Sequence, residues 1–177
     1  MRICIDPGHG GRDSGAVADG LKEKTPALTI SLILAELLEL AGYEVIMTRR
    51  KDEFVELQNR ANIANRKGAD LFVSVHHNSF TDSEANGIET YYFEGSNEGH
   101  RIAEIIQDNL IGYSGWTNRG VKTAEFSVLR NTRMPAVLLE IGFISNSNER
   151  EGLKDCNILL GFAKAIFKAI KEGYDVQ

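Results

Sequence analysis

Apolar residues recur along this chain in two rhythms. Compact runs occur at Ile3–Ile5, Val45–Met47 and Leu71–Val75, and they predict strands over Arg2–Asp6, Glu44–Thr48 and Asp70–His76. The third run is nearly unbroken, as expected of a strand covered on both faces. Between the first two, Leu28, Leu32, Ala35 and Leu38 repeat at helical spacing, and Ile30, Ile33, Leu34 and Leu37 widen the stripe. That helix is expected to open with Thr25 as N-cap and Pro26 at its first position, and to run to Ala41 with Gly42 as its C-terminal cap. A second helix is expected from Asp52 to about Lys67, with Leu57, Ala61 and Ala64 inward and Gly68 ending it. Strand, helix, strand, helix, strand is the signature of a parallel sheet with right-handed crossovers.

The second half continues the alternation. Thr81–Gly87 reads as a polar loop, and Ile88–Phe93 as a strand whose alternation suggests a less buried place. A helix is expected from about Asn97 to Ile111, with Ile102, Ile105, Ile106 and Leu110 inward. Gly112–Glu125 reads as irregular and holds Trp116, while Phe126–Arg130 and Ala136–Glu140 read as two more strands. A helical turn near Glu149–Leu153 and a helix over Asn157–Lys171 close the chain. The expected fold is α/β: one domain over residues 1–177, with a twisted, mostly parallel six-stranded sheet flanked by helices.

Composition narrows the function. The 177 residues are 42% hydrophobic and 25% charged, ordinary values for a globular chain. A net charge of −5 offers no basic stripe for phosphates, so neither nucleic acid nor an anionic membrane is an expected partner. No apolar run approaches the length that spans a bilayer, and Arg2 is followed by too few apolar residues for a signal peptide. Action inside the cell, release by lysis, and excision from a longer protein are the three expected alternatives. Cys4 and Cys156 are expected to be small buried hydrophobes, and without a Cys-x-x-Cys pair a thiolate zinc site is excluded.

The stretch Ile5-Asp6-Pro7-Gly8-His9-Gly10-Gly11 ends the first strand and opens a glycine-rich loop that runs to Lys22. Loops of that length in a compact domain are usually functional. In open α/β sheets ligands bind beyond the carboxyl ends of the strands, so His9, His76 and Glu140 should gather on one rim, with Glu23 at the threshold of the first helix. Two imidazoles and a carboxylate suit a catalytic zinc, and a further carboxylate suits a general base. Each residue also has a plainer role. Glu23 sits in a charged turn and would favour a helix N-terminus; Glu140 in an apolar strand could pair with Arg130 or Arg133. His76 and His77 are neighbours, and strand alternation alone does not choose between them. Asp6 could orient a ligand or cap the loop, Asn78 could stand near the metal or fix a turn, and Arg60 and Asn65 are expected to tie loops together.

These residues, with Gly20-Leu21-Lys22-Glu23-Lys24, Thr48-Arg49, Ser74-Val75-His76-His77-Asn78, Gly87-Ile88-Glu89-Thr90-Tyr91-Tyr92 and Pro135 through Asn146, give the chain a specific likeness. It resembles, nearly end to end, the catalytic domain of zinc-dependent N-acetylmuramoyl-L-alanine amidases, the type 3 amidases of autolysins, sporulation lysins and phage endolysins. The resemblance implies one Zn²⁺ held by His9, Glu23 and His76, with Glu140 as the catalytic glutamate. It implies peptidoglycan as substrate and hydrolysis of the amide between N-acetylmuramic acid and L-alanine. His77 stands where the family usually has a small residue, which makes it a second candidate for ligand or substrate contact. A wall-binding module would belong to a separate domain, and the catalytic unit is expected to be a monomer. A zinc carboxypeptidase, a catalytically dead binding module and a nucleotide-binding protein are the rival classes. Glu140 argues against the second, and the lack of Gly-Lys-Ser/Thr in the loop argues against the third.

Overall fold

The computed structural model describes residues 1–174. Its centre is a sheet of six strands: β1 (Arg2–Pro7), β4 (Glu44–Met47), β5 (Leu71–Asn78), β6 (Ile88–Tyr92), β7 (Asn118–Thr123) and β8 (Ala136–Phe143). Two short strands, β2 (Val17–Ala18) and β3 (Leu21–Lys22), form a hairpin within the glycine-rich loop. The sheet order is β4-β1-β5-β8-β6-β7, and every pair is parallel except β6 with β8. The helices are α1 (Lys24–Leu40), α2 (Leu57–Lys67), α3 (Asn97–Ser114), α4 (Ser127–Arg130), α5 (Ser147–Gly152) and α6 (Cys156–Tyr174).

Strand alternation divides the core unequally. Ile3, Ile5, Leu71, Val73, Val75, Val137, Leu139 and Ile141 point to one face, where Ile30 and Leu34 of α1, Ile102 and Ile106 of α3, and Phe162 and Ile166 of α6 cover them. Cys4, Phe72 and Leu138 point to the other, covered by Ala64 of α2 and by Val128 and Leu129 of α4. This second cover is two short helices, and it leaves the carboxyl rim of the sheet open on that face. Asp6, Ser74, His76, Glu140 and Glu89 follow the same alternation and lie on this thinly covered side.

Several expectations change. Phe126–Arg130 is not a strand: Ser127–Arg130 forms a helical turn whose carbonyls at Val128 and Leu129 accept from Thr132 Oγ1. Val128 and Leu129 are adjacent and both buried, a pattern that a short apolar run shares between helix and strand. The sixth strand is instead β7, inside the segment that read as irregular; it is a half-exposed edge strand with no clear apolar alternation. The strand β6 is more buried than its alternation suggested, because it lies between β8 and β7. Helix α2 starts at Leu57, not Asp52, and Leu57 is 60% exposed. Helix α1 starts a residue before Thr25, with Glu23 rather than Thr25 at the N-cap position. Cys156 is exposed while Cys4 is buried. Trp116 packs edge-on against Phe162 beneath Gly142, where an added Cβ would lie 2.4 Å from the ring, so it serves the core.

Candidate active site

The glycine-rich loop carries His9 at the end of β1 with φ of 56°, a left-handed conformation that costs a non-glycine residue energy. Two buried arginines hold it there. Arg60 on α2 donates to the carbonyls of Pro7 (2.7 Å) and His9 (2.7 Å) and to Asp6 Oδ1 (2.9 Å). Arg49, following β4, donates to the carbonyls of Pro7 (3.0 Å) and Gly8 (2.6 Å) and reaches Lys24 O at the start of α1 (3.1 Å). Asp6 is fully buried and also accepts from Thr48 Oγ1 (2.6 Å) and Ser74 Oγ (2.7 Å), so it anchors the base of the loop. Removing one partner of the Asp6–Arg60 pair strands a buried charge. Arg60→Ala is therefore expected to cost about 3–5 kcal/mol in a urea unfolding titration.

Glycine clears the space above the strand ends. A Cβ on Gly8 would lie 2.4 Å from His76 Cε1, and one on Gly15 would lie 2.5 Å from Glu23 Oε2. In that space His9 Nε2 stands 3.0 Å and His76 Nδ1 2.9 Å from the same oxygen, Glu23 Oε1. The main-chain N–H of His77 donates to that oxygen at 3.1 Å, and the N–H of Ala16 donates to Glu23 Oε2 at 2.9 Å. Glu23 gives α1 no side-chain cap because its carboxylate is turned into this cluster. Burial disfavours its ionised form, but the bonds with His76 and His9 outweigh that and hold its pKa well below the usual carboxylate range. His9 Nδ1 donates to Asp13 Oδ2 at 2.9 Å. Burial opposes protonation of His9, yet Glu23 and Asp13 together raise its pKa.

One nitrogen or oxygen from each of His9, Glu23 and His76 lies within 4.8 Å of the other two. Tetrahedral zinc ligands with bonds of 2.0–2.2 Å stand about 3.4 Å apart, so this set fits the ion with a small opening. The donors are of the nitrogen and oxygen types zinc takes, and Asp13 adds the outer hydrogen bond that commonly fixes a ligand imidazole. His77 lies on the opposite face of β5. Its Nδ1–H donates to Ile141 O at 2.6 Å, and burial lowers its pKa to about 4. It does not join the cluster through its side chain.

Glu140 is the cross-strand partner of His76 in the interior of β8, which continues to Phe143. Neither Arg130 nor Arg133 pairs with it. Its Oε2 is buried with no hydrogen-bond partner among the described residues. Burial, reinforced by the charges of Glu23 and Glu89, pushes its pKa well above the carboxylate range. The cluster and Glu140 open into a cavity of about 550 Å³, whose apolar walls include Phe54, Leu57, Phe126 and Val128. Asn78 also lines it, bonded to Glu89 rather than to the cluster (2.6 Å). Asn65 ties the chain near Asn131 and Arg133, and His100 is exposed against Tyr92. Asp13 and Glu89 were not singled out from the sequence. Glu89 stands in Ile88–Tyr92, whose alternation is that of a half-exposed strand in which a glutamate is ordinary, and Asp13 stands in an aperiodic loop. Neither carried a signal of the kind Glu140 gives in its apolar run.

Fold and site place this chain among α/β catalytic domains whose chemistry gathers at the carboxyl rim of the sheet. It belongs to the N-acetylmuramoyl-L-alanine amidase family (Amidase_3), whose model matches residues 3–172. The chain is 43% identical over 155 residues to N-acetylmuramoyl-L-alanine amidase LytC of Bacillus subtilis, covering 86% of this chain but only 31% of LytC. It is 36% identical over 180 residues to the sporulation-specific N-acetylmuramoyl-L-alanine amidase of the same organism, covering 100% of this chain and 69% of that protein. The catalytic domain of CwlV, an amidase from Bacillus (Paenibacillus) polymyxa, superposes with a TM-score of 0.94 at 38% identity, covering 99% of each chain.

Proposed function

We propose that this domain hydrolyses the amide bond between N-acetylmuramic acid and L-alanine in peptidoglycan, using one Zn²⁺ held by His9, Glu23 and His76. The observation that carries this reading is the convergence of those three side chains beside an unpartnered buried carboxylate, in a chain of the amidase family. Zinc in such a site lowers the pKa of a water toward 7 and polarises a carbonyl. Glu140 takes a proton from the attacking water and delivers it to the departing L-alanine nitrogen as the C–N bond breaks. Its raised proton affinity suits both transfers. Asp13 holds the His9 ring with Nε2 facing the cluster. Asp13→Ala is therefore expected to weaken zinc affinity roughly 10- to 100-fold in a competition titration with a chromogenic chelator.

The domain's place of action is the cell wall, in keeping with its membership of the amidase family. Among the described residues no helix is long and apolar enough to cross a membrane. Tight wall attachment is the work of separate domains, in keeping with the small share of LytC that this chain spans. The deciding experiment digests purified peptidoglycan with the zinc-loaded protein against a chelated control. New amino-terminal L-alanine without new reducing sugar ends supports the amidase; cuts within the stem peptide would make it a peptidase. Sedimentation with the wall without cleavage would make it a binding module.

A further inference from the structure

A second buried carboxylate, Glu89, lies on the same face as Glu140, one strand nearer the sheet edge and paired with it in register. Its oxygens are used differently. Oε1 accepts from Asn78 Nδ2 (2.6 Å) and Tyr91 Oη (2.8 Å). Oε2 takes two cations, Arg119 Nε at 2.9 Å and Lys122 Nζ, both from the edge strand β7. One cation would neutralise this carboxylate, so the trio carries a surplus positive charge in a chain whose net charge is −5. The Arg119 and Lys122 side chains are 36% and 40% exposed. Glu89 is the only hydrogen-bond partner of Lys122 Nζ among the described residues, which leaves two of its three N–H donors for another acceptor.

The trio adjoins the cavity. Asn78 lines the cavity and bonds Glu89; Tyr91 bonds Glu89 and packs edge-on against Phe126, which also lines the cavity. Arg119 lies over the ring of Phe143, which limits its freedom. Strand spacing sets the backbone of Glu89 about 5 Å from that of Glu140. A dipeptide spans about 7 Å. A substrate whose scissile amide sits at Glu140 therefore brings the α-carboxylate of its second amino acid within reach of these cations.

We propose that Arg119 and Lys122, seated on Glu89, bind the free α-carboxylate of the residue that follows L-alanine in the peptide arm of the substrate. This rests on the amidase reading and names the part of the substrate that the β7 side of the site selects. It also implies discrimination against stems in which that carboxyl is amidated.

The test compares N-acetylmuramoyl-L-alanyl-D-glutamine, which carries the α-carboxylate, with its α-amide. Alongside the kinetics, the free peptides L-alanyl-D-glutamine and its amide are titrated onto the zinc-loaded protein. The wild type is expected to favour the acid roughly 5- to 10-fold, mainly in KM, the size of one exposed charge-assisted contact. Lys122→Gln should reduce the acid-to-amide ratio to about 2, and Lys122→Arg should restore most of it. Equal use of acid and amide by the wild type, or an unchanged ratio in Lys122→Gln, would overturn the proposal. The peptide titration separates the two readings: acid-selective binding that Lys122→Gln abolishes upholds this site even if neither muramoyl probe is cut. Cleavage of both probes without preference upholds the amidase and removes the carboxylate site.

Discussion

Glu140→Gln is expected to lower turnover roughly a thousandfold, within the range general acid–base groups contribute, while zinc content stays at one per chain. The substitution keeps the shape of the side chain and removes its capacity to accept and return a proton. Its effect on stability separates it from a damaged fold. Burial and the charges of Glu23 and Glu89 raise the proton affinity of Glu140 in the folded state. The metal-free native protein therefore binds more protons here than the unfolded chain, and stability is lost as pH climbs above the ordinary carboxylate range. Glutamine carries no such penalty. Metal-free Glu140→Gln should melt above the metal-free wild type near pH 7, and the gain should vanish toward pH 4. Turnover near the wild-type level, or a lower melting temperature at neutral pH, would remove Glu140 from the proposed role.

Stripping zinc with a chelator is expected to abolish hydrolysis and to lower the melting temperature. A ligand present at 100 to 1,000 times its dissociation constant adds about 3–4 kcal/mol to the folded state, which for a domain of this size is roughly 6–16 °C. His9→Ala and His76→Ala should each reproduce both losses with zinc present, because each removes one of the three ligand side chains, His9, Glu23 and His76, that the fold brings together. Restored activity and melting temperature on returning zinc to the stripped wild type, but not to either variant, is the expected pattern. Full activity in thorough chelation would exclude the metal from the reaction.

The sites of these two predictions were not equally visible in the residues. His9 announced itself because glycines that contribute little to packing surround it. Glu140 stood out as a carboxylate in an apolar strand. Glu23 had only the family likeness to distinguish it from a helix-start acid, and the fold supplies the physical reason: the loop returns over β1 and brings its carboxylate within 3.0 Å of two imidazoles. His76 and His77 could not be separated by alternation. The pairing of His76 with Glu140 puts it on the open face, while His77 turns into the covered one.

Periodicity was sufficient for the helices with a continuous apolar stripe and for strands buried on both faces, since those patterns follow directly from a period of 3.6 or from an apolar run bounded by turns. It was also sufficient for the gathering of His9, His76 and Glu140 on one rim, which follows from the direction of parallel strands. Edge strand β7 and turn α4 were exchanged, because their short segments carry no period and take their shape from what they pack against. Asp13 and the Arg119–Lys122–Glu89 trio depend on residues brought together across the loop and the sheet. Such contacts are set by register and side-chain reach, which no local pattern encodes. A buried carboxylate such as Glu89 is costly without a partner, and its partners are whichever cations the folded chain puts nearby.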